Sequence, residues 1–417
     1  MTKSASVTPT KRSRFRLSAW INARFPLAEL WQDHYSQYFV SKKLTFWYMF
    51  GGFSLFVLVN QIITGIWLAM VYTPTASQAF ASVEHIMRDV HYGWLIRYLH
   101  STGASAFFVL MYLHMYRGLI YGSYQKPREL VWLLGMMLYF LLLFEAFTGY
   151  VLPWGQMSFW GAKVITSLFG AIPYIGKDIM VWFRGDYTVS GVTLHRFFAL
   201  HVAAIPLVIV LLVVLHIVAV HHVGSNNPDG IDIPKHKDAK GRPPQDGVPF
   251  HPYYTIKDLM GFMVFLLVFA IVLFFMPEGG GYLLEPDNFV MANNLQTPAH
   301  IAPVWYMTPF YAILRAVPDK FFGTLAMAGS IAIMFVLPWL DRSPVRSIRY
   351  KGIYTKIAIS LFVISFIALG YLGLTPVSTI KTWLARLFSI LYFLFFLLMP
   401  IYSRFEKTKP VPKRVTP

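Results

Sequence analysis

Apolar residues in this chain fall in long unbroken runs, not in the alternating or one-sided patterns of a water-soluble fold. A bilayer core of ~30 Å needs about 20 apolar residues per helix. Eight runs reach that length: roughly 45–71, 94–118, 131–152, 196–222, 258–276, 319–339, 353–373 and 381–402. The pattern predicts an all-α integral membrane protein with eight transmembrane helices. The second and fourth runs are longer than a bilayer requires, so tilt or protrusion is expected there.

Polar stretches divide the chain further. Residues 1–44 read as a basic arm, without the apolar core flanked by small residues that marks a signal peptide. Residues 45–222 group four spans around a long connection at 153–195, and 223–257 form a polar connection. Residues 258–402 hold the other four spans and a second long connection at 277–318, and 403–417 form a basic tail. The two long connections are rich in Gly, Pro and aromatics, including Trp154, Phe159, Trp160, Trp305, Tyr306, Phe310 and Tyr311. Loops of that length in a compact protein are usually functional, and these are expected to form a lid against one membrane face. The last three spans carry no His and no acid at mid-depth, and read as scaffold.

Composition narrows the class. Of 417 residues, 56% are hydrophobic and 13% charged, against about 25% charged in soluble proteins. A soluble multidomain enzyme and a disordered chain are both excluded. The formal net charge of +17 is concentrated: 24 of the 36 Lys and Arg lie in 1–44, 119–130, 224–257, 340–352 and 403–417. The alternate connections 72–93, 153–195, 277–318 and 374–380 hold five. The positive-inside rule places both termini in the cytoplasm and the long aromatic loops outside. The charge is an orientation signal, not a nucleic-acid patch. Cysteine is absent, which removes disulfides, thiolate-bound zinc, iron–sulfur clusters held by this chain and covalent haem attachment.

Four of the 13 His residues stand out by position. His100 and His114 lie in the second run, His201 and His216 in the fourth. At ~100° and ~1.5 Å per residue, 14 positions turn a side chain by about −40° and move it ~21 Å. Fifteen positions give about +60° and ~22 Å. Each helix therefore carries two His on roughly one face, near opposite sides of the membrane. Both runs travel inward, so His100 pairs with His201 at an outer level and His114 with His216 at an inner one. Membrane-embedded ionisable groups are rare and normally pair. Zinc would want a third ligand or a thiolate, and a proton relay would want acids between the levels. Facing imidazoles suit axial ligation of a haem iron, so two stacked haems are expected, with structural or proton-path His as the other readings.

Small and basic residues follow the same period. Gly51 and Gly65 in the first run, and Gly135 and Gly149 in the third, are each 14 apart. A Gly lets a flat macrocycle lie against the backbone; close helix packing is the alternative. Arg97, one turn before His100, and Arg117, one turn beyond His114, are placed to pair with haem propionates or to snorkel.

The runs RYLHSTGAS (97–105), GYVLPWGQMSFWGA (149–162), HHVGSNNPDG (221–230), FHPYYTIKD (250–258) and PVWYMTPFYAILRAVP (303–318) resemble cytochrome b. That is the haem-bearing subunit of the quinol–cytochrome c oxidoreductases. The resemblance covers nearly the whole chain from about residue 20 to 400. It implies oxidation of ubiquinol at an outer site, with one electron going to a Rieske iron–sulfur protein and on to a c-type cytochrome. The other electron crosses two non-covalently bound b-type haems to reduce quinone at an inner site, building a proton-motive force. It also implies a homodimeric complex among membrane lipids. Carried onto this chain, Phe147, Tyr150, Gly161, Pro303, Trp305, Tyr306 and Tyr311 match the outer quinol site and Rieske-docking motifs. His221, Ser225, Asn226, Lys257 and Asp258 match the inner quinone site.

Three departures stand out. The family's outer motif commonly carries a Glu where this chain has Val304, which can neither hydrogen-bond a quinol nor take its proton. Glu145, an acid in an apolar run one turn before Gly149, is the expected replacement, with Glu278 and Glu285 as alternatives. The His201–His216 interval is one residue longer than in mitochondrial members, and all eight spans lie in one piece, unlike the split photosynthetic form. With the basic tails, these features point to the inner membrane of a proteobacterium. Two further classes remain to be separated: a di-haem membrane anchor of a quinone-linked dehydrogenase, and a proton-coupled transporter with structural His.

Overall fold

In the computed structural model, residues 17–415 are described; residues 1–16 of the arm and 416–417 of the tail lie outside the described residues. Every apolar run is helical. Six helices are long and apolar enough to cross a membrane: Phe46–Val71, Glu129–Val151, Gly191–Val223, Phe250–Phe275, Ile353–Leu374 and Thr379–Leu397. The chain is therefore a multi-pass membrane protein. Two of the eight expected spans fall short of that standard. Gly93–Tyr121 has 29 residues but is diluted by Arg97, His100, Ser101, Thr102, Ser105, His114 and Arg117. Lys320–Phe335 has only 16 residues, and Pro338 restarts the chain as the short helix Leu337–Leu340.

The first two spans pack side by side, as do Glu129–Val151 and Ile205–Val223, leaving a slot between the two pairs. Gly93–Tyr121 ends at Gly122, whose φ of 64° belongs to the left-handed region that closes many helices. The fourth span is not a uniform helix: Leu200–Ala204 form a π turn. Pro206 lies just beyond it and has no N–H to return to Val202. A π turn takes up one extra residue. The 15-residue interval from His201 to His216 therefore acts as one of 14, and matches the period of His100 and His114.

The outer connections are folded together as a cap. Helices Gln156–Phe169 and Gly176–Arg184 occupy the first. The second is joined to it through Gln156 N–H donating to Val290 O at 2.9 Å, Ser158 N–H to Asn288 Oδ1 at 2.8 Å and Trp160 Nε1–H to Asn293 O at 3.1 Å. Phe147, Val151, Trp154, Phe159, Trp160, Leu194 and Phe197 make a buried cluster beneath it. Helix Thr308–Ala316 plunges from the second connection into the core and packs on all three C-terminal helices.

The all-α expectation misses a small feature at the inner end. Strand Phe39–Ser41 pairs antiparallel with Gly247–Pro249, so the N-terminal arm is sewn to the 223–257 connection. Ion pairs extend this framework: Arg128 and Arg346 on Asp232 at 3.0 and 2.9 Å, and Arg414 on Asp246 at 2.8 Å.

Candidate functional site

The four His residues meet in the two expected pairs. Ring centres of His100 and His201 lie 6.0 Å apart, and those of His114 and His216 lie 6.4 Å apart. Two imidazoles on one metal, each with a bond of ~2.0–2.1 Å to a ring nitrogen, put their ring centres about 6 Å apart. Neither pair touches through a hydrogen bond, so each gap suits an atom between the rings.

The four glycines are arranged around these rings. A Cβ on Gly65 would lie 3.0 Å from His100 Cε1, on Gly51 2.9 Å from His114 Cε1, on Gly149 2.3 Å from His201 Cε1 and on Gly135 3.3 Å from His216 Cε1. A macrocycle face is the expectation at these glycines; the edge of an imidazole from one of the two His pairs lies against each, one glycine per ring. The remaining nitrogens are held differently. His100 Nδ1–H donates to Thr64 Oγ1 at 2.9 Å, and that hydroxyl donates to Asn60 O at 2.6 Å. His201 Nδ1 lies 3.0 Å from both the carbonyl oxygen and Oε1 of Glu145. Arg117 Nη2 lies 3.3 Å from His114 Nδ1, while its buried Nε has no partner.

At the outer end, Phe147, Tyr150, Gly161, Pro303 and Tyr311 converge on one partly open apolar cavity with Val164, Ile165, Ile301, Val304 and Met307. The cavity gathers five of the seven residues the resemblance named and leaves two outside its lining. Trp305 turns its Nε1–H to Ser105 Oγ at 3.1 Å, and Tyr306 stacks on Phe108 at 3.8 Å. Tyr311 donates to Ile301 O at 3.0 Å, and Tyr150 donates to Glu285 Oε2 at 3.0 Å. Burial pushes the Glu285 carboxyl up to about 7. Glu145 does not line the cavity; it is spent on His201. Its proximity to Gly149 in sequence suggested the quinol site, but Glu145 and Gly149, one turn apart, share the helix face that meets His201, while Phe147 and Tyr150 between and beyond them turn to the cavity.

The inner residues gather less. His221 packs against His34 at 5.3 Å and Tyr38 at 4.8 Å between ring centres, and Ser225 is hydrogen-bonded to Tyr38. Asn226 is buried, its amide donating to Tyr121 O at 2.7 Å and Ser123 Oγ at 3.2 Å, so it pins the loop. Lys257 turns onto Tyr253, with Nζ 3.0 Å from the hydroxyl. Among the described residues, no hydrogen bond joins Lys257 or Asp258 to His221.

Comparison with known proteins decides the family. The model described as cytochrome b/b6/petB matches residues 35–224, and that for the C-terminal cytochrome b/b6/petD region matches 291–393. Cytochrome b of Allochromatium vinosum is 59% identical over 405 residues, covering 95% of this chain and 98% of that one. Cytochrome b of Rickettsia bellii is 49% identical, covering 99% of this chain and 100% of that one. The chain belongs to the cytochrome b family.

Its fold agrees. A solved chain titled hyperthermophilic respiratory Complex III superposes with a TM-score of 0.86 at 39% identity, covering 94% of this chain and 99% of that chain. Membership brings an electron-transfer role, b-type haems and quinone as partner molecule. The two His pairs fit such haems: the one-atom gaps, the glycine-backed rings and Nδ1–H groups engaged as donors at His100 and His201 leave Nε2 for iron. The sequence reading missed Glu285 as the partner of Tyr150 and Thr64 as the partner of His100. It also missed His34 and Tyr38, which the basic arm brings to His221. Only the burial of the arm's Tyr38 and Val40 gives the last pair away, and the sequence pattern does not reveal it.

Proposed function

We propose that this chain is the di-haem membrane subunit of a bacterial quinol–cytochrome c oxidoreductase in the inner membrane. Eight segments cross the bilayer, both termini face the cytoplasm, and the capped loops face outward. One observation carries the reading: two His pairs at single-metal separation, stacked along one slot. Haem supplies a one-electron carrier at each level, held by His100 and His201 outside and His114 and His216 inside. Arg97 and Arg117 hold the propionates, and the unpartnered Arg117 Nε fits that role.

The chain's own residues then divide the work. The outer cavity binds quinol between Phe147, Gly161, Pro303 and Tyr311 and excludes water by its apolar lining. Tyr150 is the hydroxyl nearest an acid there, and Glu285 behind it accepts the proton that Val304 cannot. A carboxyl that titrates near pH 7 is matched to that task. Beyond Glu285, Asn288 borders a second cavity, with Glu84 and Arg97. Oxidation removes two electrons and two protons from quinol. One electron passes to the outer level; the other must leave to a Rieske iron–sulfur partner and a c-type cytochrome, since this chain holds no Cys. At the inner end His221, Ser225 and Asp258 receive quinone and deliver protons from the cytoplasm. The complex is a homodimer.

A dehydrogenase anchor would not need the apolar outer cavity and its paired loops. A reduced-minus-oxidised spectrum of the complex tests the proposal. Two b-type components of different midpoint are expected, and one or none would overturn it.

A further inference from the structure

The two His levels differ in charge. Each has a guanidinium nearby, Arg97 one turn before His100 and Arg117 beside His114. Only the outer level has an acid. Glu145 Oε1 lies 3.0 Å from His201 Nδ1, with the two side chains 16% and 15% exposed, so solvent screens the pair little. Among the described residues, no other Asp or Glu hydrogen-bonds or ion-pairs with the four His. The Glu145 carbonyl takes the Nδ1–H of the His201 ring at 3.0 Å, and the carboxylate's other oxygen, Oε2, is buried without a partner, so the acid's one polar contact is with His201. Gly149, one turn on, backs the same ring and fixes which way Nδ1 faces.

We propose that Glu145 is a positioning residue that tunes the outer haem. Its carboxylate lies 3.0 Å from His201 Nδ1, beside the Glu145 carbonyl that accepts the Nδ1–H, and its charge lowers that haem's potential below the inner one. The inference rests on His201 being an iron ligand. A carboxylate on the far nitrogen makes an imidazole more basic and so favours the ferric state, which carries one more positive charge. In a poorly screened site the added charge is damped less than it would be in water. At the other level the acid is missing, so electrons run from the outer haem to the inner one down a slope built into the protein. The same contact explains why an acid lies in an apolar span without lining the quinol cavity.

The test is a redox titration of the assembled complex followed at the haem bands, with Glu145→Gln, Glu145→Asp and, as a ligation control, His201→Ala. Glu145→Gln is expected to raise the reduced-to-oxidised ratio of the outer haem about tenfold at fixed potential, ~59 mV for one electron, leaving the inner component in place. Glu145→Asp, which keeps the charge at longer reach, should shift it part of the way. If the Gln variant does not retain the outer haem, the Asp variant decides: a partial upward shift confined to the outer component supports the proposal. An unmoved outer midpoint, or equal movement of both, would overturn it. The control separates the two layers of the argument. Loss of one component in His201→Ala with an unmoved midpoint in the Glu145 variants sinks the tuning alone. Survival of both components in His201→Ala sinks the ligation.

Discussion

The outer and inner ends of this molecule are built on different plans. Outside, two long connections are stitched by backbone hydrogen bonds into a cap, and five motif residues already enclose one apolar cavity. Inside, Asn226 is consumed by holding the loop, Lys257 lies on Tyr253, and His221 is packed by the N-terminal arm. The difference teaches where preorganisation is placed. On the function proposed, an outer site sending two electrons along separate routes has to exclude water and fix its substrate before reaction, whereas an inner site fed by a single route has less need of a rigid enclosure.

The sharpest way to break the comparison is through the glycines. A Cβ at Gly149 would lie 2.3 Å from His201, and at Gly135 3.3 Å from His216. Gly149→Ala is expected to empty the outer haem position, while Gly135→Ala keeps both haems, read as haem per protein and as b-type components in the difference spectrum. Equal loss at both would show that the levels are equally tight. Next in size is the outer acid. Glu285→Gln should slow quinol oxidation by ~10²-fold or more, the usual scale for a general base. The sign of the pH effect follows from its raised position: the accepting carboxylate is lost as pH falls through about 7. The wild-type rate therefore falls on that side, and the Gln variant should lose that limb. A retained limb would move the acceptor elsewhere.

Inner-end changes should be smaller. Asn226→Ala leaves the Tyr121 carbonyl without its donor and is expected to cost about 1–3 kcal/mol of stability, measured by thermal unfolding. Lys257→Met, at an exposed residue whose ammonium meets Tyr253 and lies over the Tyr254 ring, should stay within ~0.5 kcal/mol and leave quinone reduction intact. A large loss of quinone reduction would show that Lys257 leaves Tyr253 when substrate binds.

Legibility followed contiguity. The four His, their 14-residue partners among the glycines and the outer motifs were readable because each is fixed by spacing along one helix or by a single run. The 15-residue interval looked like a departure in angle, and the π turn at Leu200–Ala204 absorbs it. Glu145 was legible as an odd acid but not in its role, since Phe147, two residues on, faces the cavity while Glu145 itself faces His201. Glu285 became prominent only when the fold brought it 135 positions back to Tyr150. His34 and Tyr38 sit in an arm whose composition spoke only of charge. Six of the eight expected spans are long and apolar enough to cross a membrane; Gly93–Tyr121 is diluted by its His and other polar residues, and Lys320–Phe335 stops early at a proline-broken end.

The central claim is that each His pair holds one iron. It is tested most directly by the difference spectra of His201→Ala and His216→Ala complexes, recorded with wild type at matched protein concentration. The account predicts loss of a different b-type component in each variant, the lower-potential one for His201→Ala and the higher-potential one for His216→Ala. Loss of the same component in both, or retention of both components in either, would contradict it.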